Sequence, residues 1–324
     1  MFEKLVERVA RLLPEYGKAI GIDGKPLPTY GHKDKDADWG VKTYRGTKKD
    51  GPAYETVKKW FGYRLHLVCD VNYELPLAYE VTRASEAESP KLIPMVARID
   101  ETHPKVLKRT ETMAGDRGYD DGEDKADLYD AYGIKPLIGT RDMYSHTPEG
   151  PMRPLDDQTH DTIYYSPTGE VCCKVDPFVP DNEKRYAPMQ FMGFEKDRMT
   201  LKFRCPAAAY GIECNNRAAC QCNFRIRDGA YGRVVRVPLE RDRRVFLPIH
   251  RHSRGFREGY KKRTAVERVN SRIDNVYGFE HHFIRRLHKM KLRVGLALIV
   301  MLATAVAWVE AGNKDNIRSL LTAA

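Results

Sequence analysis

Three acidic residues stand at positions where a protein of mixed strands and helices places its chemistry. Asp23 follows the apolar run of residues 17–22, Asp116 follows the run 112–115, and a glycine comes within two residues of each. Open sheets with flanking helices hold functional groups where their strands end. Glu267 lies in a segment with helical spacing. We therefore expect these three carboxylates to converge.

Converging carboxylates bind hard cations such as Mg²⁺ or Mn²⁺ through oxygen. Two such ions, about 3.5 to 4 Å apart, hold both the attacking and the leaving oxygen of an in-line phosphoryl displacement. Any one aspartate taken alone is more often a turn or helix-cap residue. As a set, Asp23, Asp116 and Glu267 are candidate ligands for such cations.

Helical spacing places several polar side chains on the same face as Glu267. Tyr260 lies seven residues before it, Arg263 four residues before it, and Asp274 seven residues after it. A guanidinium group has a planar fork that matches two oxygens of a phosphate. We therefore expect Arg263 to contact a phosphate group of the substrate.

The positive charge of the chain is concentrated in one segment. The 324 residues carry a net charge of +10, with 42% hydrophobic and 31% charged residues, a composition typical of a folded protein and unlike a disordered or collagenous one. Between Arg225 and Arg293 there are twenty Lys or Arg residues and seven Asp or Glu residues. This is the electrostatic footprint of a polyanion-binding surface, although a merely solvated basic face has the same composition.

Apolar periodicity predicts a mixed sheet in the first part of the chain. It favours strands at 17–24, 61–70, 75–82, 112–115 and 135–139 and helices at 2–12, 89–99 and 120–132. Hairpin strands followed by alternating helix and strand indicate the α/β class. The predicted organisation is one domain in two parts, 1–143 and 251–324, separated by a β-rich insertion at 144–250. A helix is expected at 260–276.

The most apolar stretch runs from Val294 to Val309. Its sixteen residues fall short of the roughly 20 that span a bilayer. We expect a buried C-terminal helix and no membrane partner, with membrane contact as the weaker alternative. The charged N-terminus does not have the form of a signal peptide, and a cytoplasmic location is expected.

Four of the seven cysteines lie within eighteen residues: Cys205, Cys214, Cys220 and Cys222. Four thiolates close a tetrahedral zinc site of a structural kind, since no position is left open for a substrate. The usual pair of CxxC motifs is absent from this segment. Free or partly buried thiols are therefore the alternative to structural Zn²⁺, and a reducing compartment fits the odd number of cysteines.

Four segments together resemble the DDE transposases of bacterial insertion sequences. They are IGIDGK, GYRLHLVCDVNYELPLAYEVTRASEAES, AGDRGYDDG and YKKRTAVERVNSRID. The branch that they resemble carries a tyrosine, arginine, glutamate and lysine signature on its last catalytic helix, and Tyr260 and Arg263 match its first two members. The position of the signature lysine holds Asp274, so Arg268 and Arg272 are the expected substitutes for contact with DNA.

The resemblance implies an RNase H-like fold, with a β-rich insert between the second and third acids. It implies Asp23, Asp116 and Glu267 as catalytic residues, Mg²⁺ or Mn²⁺ as cofactor, and DNA as partner at both transposon ends and target. Assembly as a homodimer is also implied. Family members carry a DNA-end-binding region before the first acid, whereas 22 residues precede Asp23. A separate N-terminal DNA-binding chain, or a truncated copy, is therefore expected.

Three functions remain open at this point. The first is a transposase that cleaves and transfers DNA strands with divalent metal ions. The second is a catalytically inactive or truncated transposase-derived protein that binds DNA, which Asp274 and the short N-terminal segment favour. The third, weaker hypothesis is a nuclease acting on RNA hybrids or structured DNA.

Overall fold

The structure is a computed structural model that describes residues 1–30, 33–47, 53–141, 152–155, 162–176, 186–215 and 231–318. Within this part of the chain the helices are α1 Phe2–Leu12, α2 Leu92–Thr102, α3 Pro104–Leu107, α4 Gly122–Asp130, α5 Pro206–Tyr210, α6 Arg254–Lys261, α7 Thr264–Asn275 and α8 Leu287–Glu310. The strands are β1 Ala19–Pro28, β2 Asp38–Thr47, β3 Ala53–Asp70, β4 Pro76–Arg83, β5 Thr112–Gly115, β6 Lys135–Ile138, β7 Arg153–Pro154, β8 Ile163–Tyr165, β9 Val171–Lys174, β10 Tyr186–Pro188, β11 Gln190–Glu195, β12 Thr200–Arg204 and β13 Val234–Pro238.

The chain divides into two compact units. The first unit contains Met1–Tyr119, Ala131–Ile134 and Lys261–Ala324, and the second contains Asp120–Asp130 and Lys135–Tyr260. These bounds differ from an insertion at 144–250, because α4 belongs to the second unit. There the carboxylate of Asp120 binds Lys125 and accepts hydrogen bonds from Arg244 Nε at 3.0 Å and from the Arg141 amide at 2.6 Å.

The first unit contains a mixed sheet in which β1 is the central strand. Its strands β2, β3, β1 and β5 are neighbours in that order, and β4 also pairs with β3. Strand β1 is antiparallel to β3 and parallel to β5, with Ile22 opposite Gly115. The residues that follow these two, Asp23 and Asp116, therefore lie side by side. Register on neighbouring parallel strands thus brings together two acids that are far apart in sequence.

The prediction that β1 ends at Asp23 is wrong, because the strand continues to Pro28. Gly24 does not start a turn: it pairs with His66, and Lys25 pairs with Leu65. Glycine accepts extended backbone as well as turns, so the glycine after Asp23 could not distinguish the two. Asp23 itself pairs with Leu67 of β3, so it lies within a paired strand and not at the strand's end.

Helix α7 packs against β1 at unusually close range. A Cβ atom placed on Gly21 would lie 2.6 Å from Val266 of the helix and 3.1 Å from Val71. No real side chain tolerates the first of these distances, so glycine is required at this point. The close approach fixes α7 beside the strand that carries Asp23.

Helix α8 confirms the predicted C-terminal helix and extends it to Leu287. Its buried face comprises Met290, Val294, Gly295, Ala297, Leu298, Met301, Leu302 and Ala305. The opposite face exposes Leu292, Leu296 and Val300. Length and composition alone would let α8 cross a membrane, a test that core helices of globular proteins also pass.

The second unit is built from short strands, as its turn-rich sequence predicts. One sheet has the order β10-β9-β8-β7 and another the order β11-β12-β13. Their shared apolar core includes Ile163, Leu201, Phe203, Val235 and Phe246. Four of these five residues are β-branched or aromatic, the types that pack best on a pleated surface.

Candidate active site

Three carboxylates meet in the first unit. One oxygen each of Asp23, Glu88 and Asp116 lies within 4.8 Å of the other two. The sequence predicted the two aspartates as partners, and the structure brings them together. Glu88 was not predicted, because it lies outside the strands whose ends drew attention to the aspartates. Its only sequence signal is its place in the segment ASEAES, just before a helix.

Two glycines allow the carboxylates to approach one another. A Cβ on Gly24 would lie 2.5 Å from the carboxyl carbon of Glu88. A Cβ on Gly118 would lie 2.6 Å from Asp116 Oδ1 and 2.9 Å from Glu88 Oε2. The Gly118 amide also donates to Asp116 Oδ1 at 2.6 Å. A side chain at either glycine would therefore displace the carboxyl group of Glu88 or Asp116 from its observed place.

Glu88 is buried and is held by two cations. Arg64 NH1 donates to Glu88 Oε1 at 2.7 Å, and Lys42 Nζ lies 3.4 Å from the same oxygen. Lys42 Nζ also lies 3.8 Å from Asp116 Oδ2. Arg64 is fixed in turn by the Ala84 carbonyl and by the ring of Trp60, 5.0 Å away. Two positive side chains thus face three acids.

The electrostatics of the site favour protonation of Asp23 and of Glu88. Burial raises the pKa of Asp23 to about 6; Lys42 opposes this shift, and the negative charges of Asp116 and Glu88 add to it. Burial likewise raises the pKa of Glu88, with Asp116 adding to the shift and Lys42 and Arg64 opposing it. Like charges held close together disfavour joint ionisation. The lysine and the arginine therefore do not fully compensate the acids.

The donor set fits a hard divalent cation. All three groups offer carboxylate oxygens, which Mg²⁺ and Mn²⁺ prefer over nitrogen or sulfur. Two further polar atoms near the acids, the Tyr119 hydroxyl and Asn270 Oδ1, are buried and have no hydrogen-bond partner in the described part of the chain. The Asn270 amide donates to Asp23 Oδ2 at 3.0 Å. A hydrated ion would satisfy both orphaned atoms through its waters.

Glu267 lies on α7 outside this group of three. Its carboxylate is half exposed and accepts a hydrogen bond from Arg263 NH1 at 2.6 Å. It shares a helical stripe with Asn270, three residues later, which contacts Asp23. The structure therefore brings the helix that carries Glu267 to the acids, and the side chain in contact with Asp23 is Asn270.

The prediction that Tyr260 and Glu267 share one helical face is wrong. Tyr260 lies in α6, which ends at Lys261, whereas α7 begins at Thr264. The Thr264 hydroxyl donates to the Lys261 carbonyl at 3.1 Å, which satisfies an acceptor left at the end of α6. Tyr260 instead stacks on Phe256, with ring centroids 5.9 Å apart.

Arg268 and Arg272, the expected contacts to DNA, bind within the protein at the turn after β3. Arg268 Nε donates to Glu74 Oε1 at 2.7 Å. Arg272 donates to the Glu74 carbonyl and to the Arg318 carbonyl, the latter at 3.3 Å. The side chain of Arg268 is 54% exposed, whereas that of Arg272 is 16% exposed. Arg272 is therefore mainly an anchor of α7, and Arg268 keeps a solvent-facing side.

Asp274, at the position of the signature lysine, is neutralised by a neighbour. Lys25 on β1 forms an ion pair with its carboxylate, and the lysine side chain is 10% exposed. The acid therefore adds no uncompensated negative charge to this side of α7.

The cysteine cluster is described only in part. Cys205 is buried and packs with Ala207, and Cys214 packs against the same small cluster. Cys220 and Cys222 lie outside the described residues. A zinc site at these four cysteines stays a prediction.

The family described as Transposase DDE domain matches residues 17–303, and the chain belongs to this family. The match includes all three clustered acids as well as Glu267. Members of the family generally use a divalent metal, and the acidic cluster supplies suitable oxygens.

One solved structure that a comparison of structures matches to this chain is a piggyBac transposase synaptic complex with hairpin DNA, determined by cryo-electron microscopy. The TM-score is 0.40 and the sequence identity 11%, over 94% of this chain and 51% of that one. This chain thus spans about half the length of that transposase. No curated protein matches the chain.

Proposed function

We propose that this protein is a transposase of a bacterial insertion sequence, which cleaves and transfers DNA strands by divalent-metal-dependent phosphoryl transfer. The observation that carries the proposal is the side-by-side placement of Asp23 and Asp116 within a transposase DDE domain. An RNase H-like fold is part of it. The central β1, antiparallel to β3 and parallel to β5, supports that fold.

In this proposal Asp23, Asp116 and Glu267 hold Mg²⁺ or Mn²⁺. The ions would activate the attacking oxygen and stabilise the leaving one. The chain itself positions these groups: pairing with β3 fixes Asp23, the Gly118 amide holds Asp116, and the contact of Asn270 with Asp23 holds α7 beside them. Glu267, one helical turn before Asn270, completes the set when its side chain leaves Arg263.

DNA is the proposed partner, at the transposon ends and at the target. Arg263, released from Glu267, and the exposed side of Arg268 are proposed to contact phosphates, together with Tyr260. The basic segment from Arg225 to Arg293 supports this partner, because each cation that meets a phosphate releases condensed counterions. Binding should therefore weaken steeply as salt rises.

The test is cleavage of a labelled duplex that carries the element's own end, with Mg²⁺ or Mn²⁺. Wild type should nick the duplex, and Asp23→Asn, Asp116→Asn and Glu267→Gln should each lower the rate by about 10³-fold or more while DNA binding changes little. Glu258→Gln is a matched control, since Glu258 forms the same kind of i,i+4 pair with Arg254 on an exposed helix face. Cleavage retained in all three variants would refute the proposal.

A second candidate is a transposase-derived protein that binds DNA without cutting it. The observation that favours it is the ion pair that holds Glu267 on Arg263, outside the group of three acids. It predicts salt-sensitive binding to the end duplex and no nicking by wild type with either metal. The same assay therefore separates the two functions.

A further inference from the structure

Glu88 is a buried acid to which neither the sequence motifs nor the family match assigns a role. We propose that Glu88 binds the divalent cation together with Asp23 and Asp116, and that Lys42 is the counter-ion which the cation displaces. This inference rests on the proposed function, because it concerns the same site. It adds a fourth acid to the three already proposed.

The first argument is the orientation of the Glu88 carboxylate. Arg64 and Lys42 both contact Oε1, at 2.7 and 3.4 Å. The other oxygen, Oε2, lies toward Gly118 and the Asp116 side of the cluster. One oxygen thus anchors the side chain, and the second faces the aspartates. A carboxylate whose only role was to pair with Arg64 would not need this second approach, which requires glycine at position 118.

The second argument is the pair of polar atoms left without partners. Tyr119 is fully buried, and its hydroxyl has no hydrogen-bond partner in the described part of the chain. The Tyr119 backbone amide donates to the Asp116 carbonyl at 3.2 Å, which keeps this residue beside that acid. Burial raises the pKa of Tyr119, and the charges of Glu88, Asp23 and Asp116 add to the shift. Asn270 Oδ1, across Asp23, is likewise buried and orphaned. A buried polar atom without a partner destabilises the fold unless water or the hydration shell of an ion satisfies it.

The third argument is the position of Lys42 between two of the acids. Its ammonium lies 3.4 Å from Glu88 Oε1 and 3.8 Å from Asp116 Oδ2. A single positive charge therefore lies between these oxygens, and a divalent ion at the same place would be attracted to them more strongly. Lys42 comes from β2, opposite Lys58 of β3. Because Lys58 is exposed, it offers a matched lysine outside the cluster.

The experiment measures the affinity of the full chain for Mn²⁺ alone, by electron paramagnetic resonance of the free ion. Glu88→Gln should weaken binding by about 10-fold or more, the scale of losing one side chain that supports a metal. Glu86→Gln, two residues away and exposed in a pair with Lys91, should leave the affinity within about twofold of wild type. Equal affinity of Glu88→Gln and wild type would overturn the proposal.

Lys42 supplies a test of opposite sign. Lys42→Met should strengthen Mn²⁺ binding by about threefold or more, because the cation no longer competes with an ammonium group. Lys58→Met should change it little. A Lys42→Met variant that binds Mn²⁺ no more tightly than Lys58→Met would remove the counter-ion role.

A wild-type measurement keeps the proposal testable if Glu88→Gln fails to fold with Arg64 left unpaired. Fe²⁺ with ascorbate and peroxide cuts a backbone close to where the ion binds. Fragments ending near residues 23, 88 and 116, suppressed by excess Mg²⁺, are expected. Cuts near 23 and 116 without one near 88 would overturn the role of Glu88.

The two proposals fail differently. If Asp23→Asn loses Mn²⁺ affinity and Glu88→Gln does not, the inference about Glu88 fails and the metal site of the proposed function stands. If the Mn²⁺ results hold for both residues but wild type never nicks DNA, the proposed function fails while the cation site remains.

Discussion

Two aspartates in this molecule, the buried Asp120 and the half-buried Asp23, have opposite electrostatics. Burial acts to raise the pKa of both. For Asp120 of the second unit, Lys125, the Arg141 amide and Arg244 outweigh burial and hold the pKa below its usual value. For Asp23, the attraction of Lys42 does not offset burial, and the pKa rises to about 6. Burial therefore does not mark a site. Asp23 differs from Asp120 because cations do not compensate its charge and two other carboxylates lie close to it.

Removing the charge of Asp120 should have the largest effect on stability. Asp120→Asn leaves Lys125 and Arg244 buried beside a neutral amide, and the free energy of unfolding should fall by about 3 kcal/mol. Urea unfolding followed by circular dichroism measures this. Asp121→Asn is the control, since the exposed Asp121 caps the start of α4 through the amides of Glu123 and Asp124, a role that asparagine also performs. If Asp120→Asn and Asp121→Asn had the same free energy of unfolding, the charge of Asp120 would not be stabilising the second unit.

Removing the charge of Asp23 should instead stabilise the metal-free protein. A folded-state pKa raised to about 6 means that the stability contribution of this group is present at low pH and is lost as pH rises through 6. Asp23→Asn avoids that loss, so its free energy of unfolding should be about 2 kcal/mol higher than that of wild type near pH 7.5. Near pH 4 the two should be equal. A variant that is less stable than wild type at pH 7.5 would contradict this.

The smallest expected effect is the stabilisation of the folded protein by bound magnesium, which should depend on Asp23 and not on Asp120. At a concentration ten times its dissociation constant, a bound ion stabilises a protein by about 1.4 kcal/mol. Near pH 5 the proton on Asp23 competes with the ion, and the gain should fall below about 0.5 kcal/mol. Thermal unfolding with and without MgCl₂ at both pH values measures this. Asp120→Asn should keep the magnesium effect, and Asp23→Asn should lose most of it.

Much of the first unit follows from local sequence patterns. Alternating bulky and polar residues predicted the β3–β4 hairpin, and the short apolar run before Asp116 predicted β5 with its observed bounds. These elements are fixed by which residues must face the core. The pairing of Asp23 with Asp116 was likewise accessible, since both acids follow runs that pair in parallel.

Other features depend on contacts that no local pattern records. Glu88 lies beside the aspartates, and its carboxylate is held there by an ion pair with Arg64 of β3. The two partners are 24 residues apart in the sequence. The break between α6 and α7 falls in the run of Lys261, Lys262 and Arg263, which contains neither proline nor glycine. The helical spacing of the sequence continues through this break, so the spacing alone predicts one helix where the structure has two.

Gly24 carries a consequence for how this protein tolerates genetic change. Its neighbour Asp23 is a proposed metal ligand and Gly24 has no side chain to contribute, yet a side chain at position 24 would meet the carboxyl group of Glu88. In a saturation-mutagenesis library selected for activity, position 24 should accept as few replacements as position 23. The site thus depends on a position that has no side chain as well as on the positions that carry carboxylates.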